Sequence, residues 1–242
     1  MEPAAGGAMT REVDGIVDLD RYPLDRRSVA RLREVIERAQ ADFLVSGVTV
    51  LPEFLRPAAV TEMAADVLSD GLGDAMRFEY TVACDRIPDS SPLKALYHWE
   101  PLREFVSHLV GEQAYRSADE LGAMTVQIHE NGDVQDWHYD MSDYTVMLHI
   151  VAPERGGALE YIPLPGAFIE RGGGLPMRHR HMVKMLPTVP GTLVLHAGRR
   201  SRHRVTPVQG EIPRVSVHMA FNSRPGQRLN AHVRRHLFGR EE

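Results

Sequence analysis

The sequence predicts a mainly β domain braced by helices, an α+β class, on three observations. Helix signals gather in the N-terminal half, where apolar residues recur at helical spacing and prolines stand at helix starts. From Met124 the texture changes to short apolar runs broken by glycine- and proline-containing turns. The run RVSVHMAFN alternates: Val215, Val217, Met219 and Phe221 share one parity, and Arg214, Ser216, His218, Ala220 and Asn222 the other. A strand so divided packs its apolar face under helices and lines a cavity with its polar face.

Taken in order, residues 1–14 are small and polar and predict a mobile tail. Val29, Leu32, Ile36, Ala39 and Phe43 form one stripe of a helix, with Ser28 as N-cap and Gly47 as its end. VTVLPEF reads as a short strand. Pro57 opens a second helix. MRFEYTVAC is a strand candidate, and Pro92 opens a third helix that bends or breaks at Pro101 and runs to Gly111. MTVQIHE then alternates, with Thr125, Gln127 and His129 polar, and ENGD is a turn. YTVMLHIV, GGALEYIP, HMVKMLP, TLVLHA and HRVTPV are further strands, and ERGGGLPMRHRH is a basic, glycine-rich loop. Leu229, Val233 and Leu237 mark a last helix ending near Gly239.

A chain of 242 residues with 43% hydrophobic and 25% charged residues predicts one globular domain over residues 1–242. A net charge of −5 gives no reason to expect nucleic acid or an anionic membrane as partner. The single cysteine, Cys84, excludes an intrachain disulfide framework, reads as a small buried residue, and fits a reducing cytoplasm. No run suits a signal peptide or a bilayer span, so the expected location is cytoplasmic. Monomer and homodimer are both open.

Twelve histidines are many for this length, and chemistry singles out few. In WHYD, His138 and Asp140 are two apart and share a face if the segment is a strand, with Tyr139 turned away. A surface turn after Asn131-Gly132-Asp133 is the plainer alternative. A third imidazole, from His203 or His196, would complete two histidines and one carboxylate, a set that holds non-haem Fe(II) and leaves coordination positions open. Arg214 with Ser216 beside it has the donors to grip a carboxylate; an exposed edge strand is the alternative.

At these residues the sequence resembles the Fe(II)/2-oxoglutarate-dependent dioxygenases, nearest in look to small bacterial amino-acid hydroxylases and halogenases. His138-Tyr139-Asp140, then His203 in HRVTPV, then Arg214-Val215-Ser216 eleven residues later carry the resemblance, with GTLVLHAGRRSRHRVTPV leading into the distal histidine. It spans about Met124 to Asn222. It implies a double-stranded β-helix (jelly-roll) core over 124–222, and Fe(II) held by His138, Asp140 and His203, with His196 a strand residue near the cavity. It implies 2-oxoglutarate as cosubstrate, gripped by Arg214 and Ser216, and O2 as oxidant; by the alternation of MTVQIHE, Gln127 and His129 face the same cavity, where Gln127 either touches cosubstrate or substrate or only satisfies His129.

In chlorinating relatives a small residue replaces the carboxylate and halide takes its place, so Asp140 implies oxygen insertion into a C–H bond of a small molecule, a free amino acid or a derivative. The same chemistry giving desaturation or cyclisation is one alternative. A metal-binding jelly-roll sensor without turnover is the other. Nothing in the sequence shows donors for a halide, so Asp140→Gly is expected to chlorinate weakly or not at all. Trp137, His98, Asn222 and His129 are candidate substrate contacts, and Tyr97 a further one, with core packing the competing explanation for the aromatics. Arg178 to His181 form either a cationic lid or a solvated loop.

Overall fold

A computed structural model describes residues 13–68, 77–163 and 182–242. Helix α1 (Val29–Ser46) ends where Gly47 adopts φ 73° and donates its N–H to the Phe43 carbonyl, a conformation that glycine takes without a Cβ penalty. Of the expected stripe, Ala39 and Phe43 are in the core and Leu32 and Ile36 pack against it. Val29 is exposed, while Val35 joins Ala39 and Phe43 in the core, and Ser28 stands at the N-cap without a side-chain hydrogen bond. The expected tail also ends earlier: Val13 is in the core and Asp14 pairs with Arg27 at 2.7 Å.

Strand β1 (Val48–Leu51) and helix α2 (Pro57–Leu68) follow. The strand expected in MRFEYTVAC is a hairpin, β2 (Arg77–Phe78) and β3 (Thr81–Val82), turning at Glu79 and Tyr80, with Glu79 at φ 51°. The third helix is two, α3 (Pro92–His98) and α4 (Glu100–Val110), and the break falls at Trp99 rather than Pro101. Proline lacks a donor and is tolerated only in a first turn, so the helix must stop before Pro101 and restart around it.

From here the chain is β: β4 (Tyr115–Arg116), β5 (Met124–His129), β6 (Gln135–His138), β7 (Tyr144–Val151), β8 (Arg155–Gly156), β9 (Leu159–Tyr161), β10 (Lys184–Leu186), β11 (Leu193–His196), β12 (His203–Val205), β13 (Val208–Gln209) and β14 (Arg214–Asn222). Among the described residues one sheet runs β1-β11-β7-β14-β5-β3-β2, with β4 on β14, and a smaller one runs β10-β9-β12-β6. The pairings are antiparallel and neither sheet closes on itself.

The alternation in β14 sorts as its sequence dictates. Val215, Val217, Met219 and Phe221 join Val126, Ile128, Val146 and Leu148 in a core roofed by Phe43, Met63, Leu96 and Phe105 of the helices. On the other face Val48, Met147 and Val194 of the large sheet meet Leu159 and Tyr161 of the small one. The sheets therefore face each other, as in a double-stranded β-helix, and the site lies between them.

Helix α5 (Ala231–Phe238) closes the chain between an Asn230 cap and Gly239. It is strapped down by Asp119, which is buried and accepts hydrogen bonds from the Leu121, Gly122 and Leu229 amides and from Arg234 Nε and Nη2. No described helix is long and apolar enough to cross a membrane. The basic loop with Arg178 to His181 lies outside the described residues.

Candidate metal centre

The smaller sheet sets the first two imidazoles. His203 on β12 is paired in register with His138 on β6, and their ring centroids are 4.2 Å apart. β6 stops at His138, so Asp140 lies just beyond the strand rather than on it. It is placed instead by its own N–H, which donates to the Gly198 carbonyl at 3.0 Å. Gly198 is required there: a Cβ would come within 2.8 Å of Asp140 Cβ and 2.9 Å of Oδ2. Asp140 Oδ1 lies 3.6 Å from His138 Nε2 and 3.4 Å from His203 Nε2, and one ligand atom from each of the three fits within 4.8 Å of the others.

The outer nitrogens fix the tautomers. His138 Nδ1 is 2.7 Å from the Asp136 carbonyl and His203 Nδ1 is 2.9 Å from the Ser201 carbonyl. A carbonyl only accepts, so each ring carries its proton on Nδ1 and turns the Nε2 lone pair towards Asp140, the orientation a metal requires. Burial pushes the Asp140 carboxyl up, but the neighbouring His203 and His138 hold it well below the usual range. Burial likewise lowers His203, and Asp140 more than offsets this and raises it. One carboxylate between two imidazole lone pairs is a cation-binding donor set, and divalent iron fits it.

His196, the other candidate, is close but differently arranged. Its Nε2 lies 3.4 Å from Asp140 Oδ2, the oxygen turned away from the pair, and neither ring nitrogen makes a hydrogen bond. Burial, then the neighbouring His203, drives its pKa to about 3, so the ring is neutral.

Arg214 begins β14 and is fully buried. Its Nη1 donates to Ser216 Oγ at 2.8 Å, its Nε to Thr188 Oγ1 at 3.3 Å, and its Nη2 to Met147 Sδ at 3.4 Å. Ser216 passes the chain on to His218 Nε2 at 3.0 Å. No carboxylate among the described residues pairs with this guanidinium, and burial alone lowers its pKa to about 10. A buried cation without a counter-ion is costly, and an anionic ligand supplies what is missing. His129 faces Arg214 across the β5–β14 pairing, and His149 on β7 faces Ser216. Both are completely buried, neither ring has a hydrogen-bond partner among the described residues, and burial drives both to about 3.

A cavity of about 590 Å³ opens beside the triad, lined by His138, Asp140, Trp137, Gln127, Thr145, His218 and Asn222 among others. Helix α5 and the residues before it give an apolar wall of Leu229, Val233, Leu237 and Phe238. Gln127 turns an unpartnered Oε1 into this region, Trp137 presents one face while the Arg204 guanidinium stands 5.1 Å from its ring centre, and Asn222 accepts the Asp143 N–H at 3.2 Å.

Two of the expected substrate contacts, His98 and His129, do not line this cavity. His98 is exposed at the end of α3 and does not line the cavity, because the same helix turns Leu93, Leu96 and Tyr97 inward. His129 is covered by Tyr80, whose ring stacks on it at 4.4 Å, so Tyr80 is the residue that faces the cavity. Tyr97 is core: its hydroxyl donates to the Ala220 carbonyl at 2.9 Å. Sequence reasoning missed Thr145, Met147 and His149, although they share one parity of YTVMLHIV and that alternation was readable.

Residues 53–236 match the model of the family described as halogenase D. No curated protein matches. Among solved structures the chain is similar to SnoN, a non-heme alpha-ketoglutarate-dependent epimerase from nogalamycin biosynthesis, at 18% identity over 78% of this chain and 81% of that one, with a TM-score of 0.62. It is similar to HygX from Streptomyces hygroscopicus, solved with nickel and 2-oxoglutarate, at 13% identity over 76% and 86%, TM-score 0.56. It is also similar to a Pseudomonas putida prolyl-4-hydroxylase, at 16% identity over 78% and 94%, TM-score 0.53.

Proposed function

Because the chain belongs to the halogenase D family and folds as the Fe(II)/2-oxoglutarate oxygenases do, we propose that it is an oxidoreductase of that kind, hydroxylating an unactivated C–H of a small molecule. The observation that carries this is the convergence of His138 Nε2, Asp140 Oδ1 and His203 Nε2 beside a cavity, together with a buried Arg214 guanidinium that has no carboxylate partner among the described residues. Iron with 2-oxoglutarate and O2 supplies the oxidising power when bound, yielding succinate and CO2.

The chain's own residues divide the remaining work. His138, Asp140 and His203 hold the metal from one side and leave the others open. Arg214 and Ser216 bind the distal carboxylate of the cosubstrate through charge-assisted hydrogen bonds, with Gln127 beside them. Trp137, Asn222 and the apolar wall of α5 orient the substrate and keep water from the reacting carbon. The cavity volume lies within the roughly 300–1,000 Å³ usual for ligand sites and accommodates a free amino acid or a larger derivative.

The family's description names halogenation, but Asp140 fills the position that halide takes in chlorinating relatives, which favours oxygen transfer here. The deciding experiment incubates the purified chain with Fe(II), 2-oxoglutarate, O2 and a panel of amino acids. Substrate-stimulated succinate and a product heavier by one oxygen are expected. Loss of two hydrogens instead means desaturation or cyclisation, and no succinate with any substrate means a binding protein.

A further inference from the structure

The Asp140 carboxylate is held unevenly, and the unevenness follows from the two sheets. Oδ1 faces His138 and His203, both carried by the smaller sheet. Oδ2 faces the larger sheet, where Thr145 Oγ1 donates to it at 2.5 Å and His196 Nε2 stands 3.4 Å away. Thr145 and His196 are direct partners across the β7–β11 pairing, so the register of the large sheet presents both to the same oxygen. Ser142 Oγ lies 2.7 Å from Thr145 Oγ1; with the Thr145 proton committed to Asp140, Ser142 is the donor in that bond.

We propose that His196 and Thr145 are positioning residues that occupy Asp140 Oδ2, so that the carboxylate offers the metal Oδ1 alone. The inference rests on the oxygenase reading above. The buried His196 ring carries at least one N–H, neither of its nitrogens has another partner among the described residues, and Asp140 Oδ2 stands 3.4 Å from Nε2. A carboxylate oxygen opposite Nε2 settles where that N–H goes, because a lone pair there would face a negative oxygen. With the proton on Nε2 that nitrogen is a donor and not a ligand, the reverse of His138 and His203. A carboxylate that bound through both oxygens would take a position needed for cosubstrate or oxygen, so two donors on Oδ2 keep that position open.

The test compares His196→Leu, His196→Gln and Thr145→Val with the unmodified chain. Each is titrated with Co(II) under anaerobic conditions, following the visible absorption of the ion, with and without 2-oxoglutarate. Circular dichroism and thermal unfolding check the fold. His196→Leu is expected to lower Co(II) affinity about 10- to 100-fold, as loss of an outer partner of a ligand does, and to alter the spectrum. His196→Gln keeps an N–H near the Nε2 position and is expected to restore most of both. Thr145→Val should act in the same direction as His196→Leu, and if the leucine variant does not fold, Gln and Val decide.

Wild-type affinity and spectrum in His196→Leu overturn the proposal. So does a glutamine variant as impaired as the leucine one, or metal binding abolished by both, which would make His196 a ligand. Failure of the unmodified chain to bind Co(II) sinks the oxygenase reading instead, a distinguishable result.

Discussion

His203 and His196 differ by the carbonyl behind them. His203 Nδ1 has the Ser201 carbonyl at 2.9 Å to fix its tautomer, and His196 Nδ1 has no partner. His138→Ala, Asp140→Ala and His203→Ala should therefore each abolish turnover and weaken iron binding, with the fold retained. His196→Ala should retain iron, at reduced affinity. Metal content after gel filtration checks this, and iron lost from His196→Ala but kept in His203→Ala reverses the assignment. Arg214→Ala should raise the 2-oxoglutarate requirement by orders of magnitude, since losing one partner of a buried charge pair costs about 2–5 kcal/mol. Isothermal titration of the cosubstrate into the Co(II)-loaded chain reads it, and unchanged affinity contradicts the role.

At this scale the sequence was most informative where chemistry imposes spacing: two positions from His138 to Asp140, and eleven from His203 to Arg214. It was silent where a role comes from the fold alone. His98 looked like a mouth residue because nothing in the sequence says which side of α3 faces out, and Tyr80 covers His129 only because a two-residue turn brings it there.

Among the elements, β14 was the most legible, because its alternation marked one face as core and the other as cavity. Element ends were less legible. Trp99, not Pro101, breaks the third helix, since a proline disturbs the turn before it, and in the α1 stripe Val35 joins the core while Val29 at the helix start is left exposed.

Helix α5 depends on a single buried carboxylate that neither its periodicity nor its caps announce. Asp119 joins α5 to the segment before β5 through Arg234 and the Leu229 amide. Asp119→Ala leaves Arg234 and three amides without that acceptor, and should destabilise by about 3–5 kcal/mol. A thermal midpoint within a degree of wild type would show the strap to be idle.

Across the whole molecule, the two sheets enclose histidines that stay neutral, and this fixes how the fold responds to acid. His129 and His149 have native pKa values near 3 because burial disfavours their charged forms. Unfolded histidine takes up its proton near pH 6.5. Between those limits the unfolded chain binds more protons, so stability falls as the pH drops from about 6.5 towards 3, by about 2 kcal/mol per histidine at pH 5. Denaturant unfolding of the metal-free chain across that range should show the slope, and His149→Phe should make it shallower. An equal slope in the variant removes His149 from the account.

The clamp on Asp140 Oδ2 has a consequence for what the site does once the carboxylate is gone. Thr145 and His196 face it from the larger sheet, and both keep their donors in Asp140→Gly. A vacancy with a hydroxyl and an imidazole N–H on one side and a metal on the other is a nest for a monatomic anion. Nothing in the order of residues points to such donors; the β7–β11 register supplies them. Asp140→Gly should therefore capture bromide beside the metal, visible by anomalous diffraction or as a bromide-dependent change in the Co(II) spectrum, and Asp140→Gly with His196→Leu should not. No response to bromide in the single variant refutes this. Capture is not transfer: hydroxylation should still be largely lost, and halogenated product should stay scarce unless the substrate carbon lies nearer the anion than the oxygen.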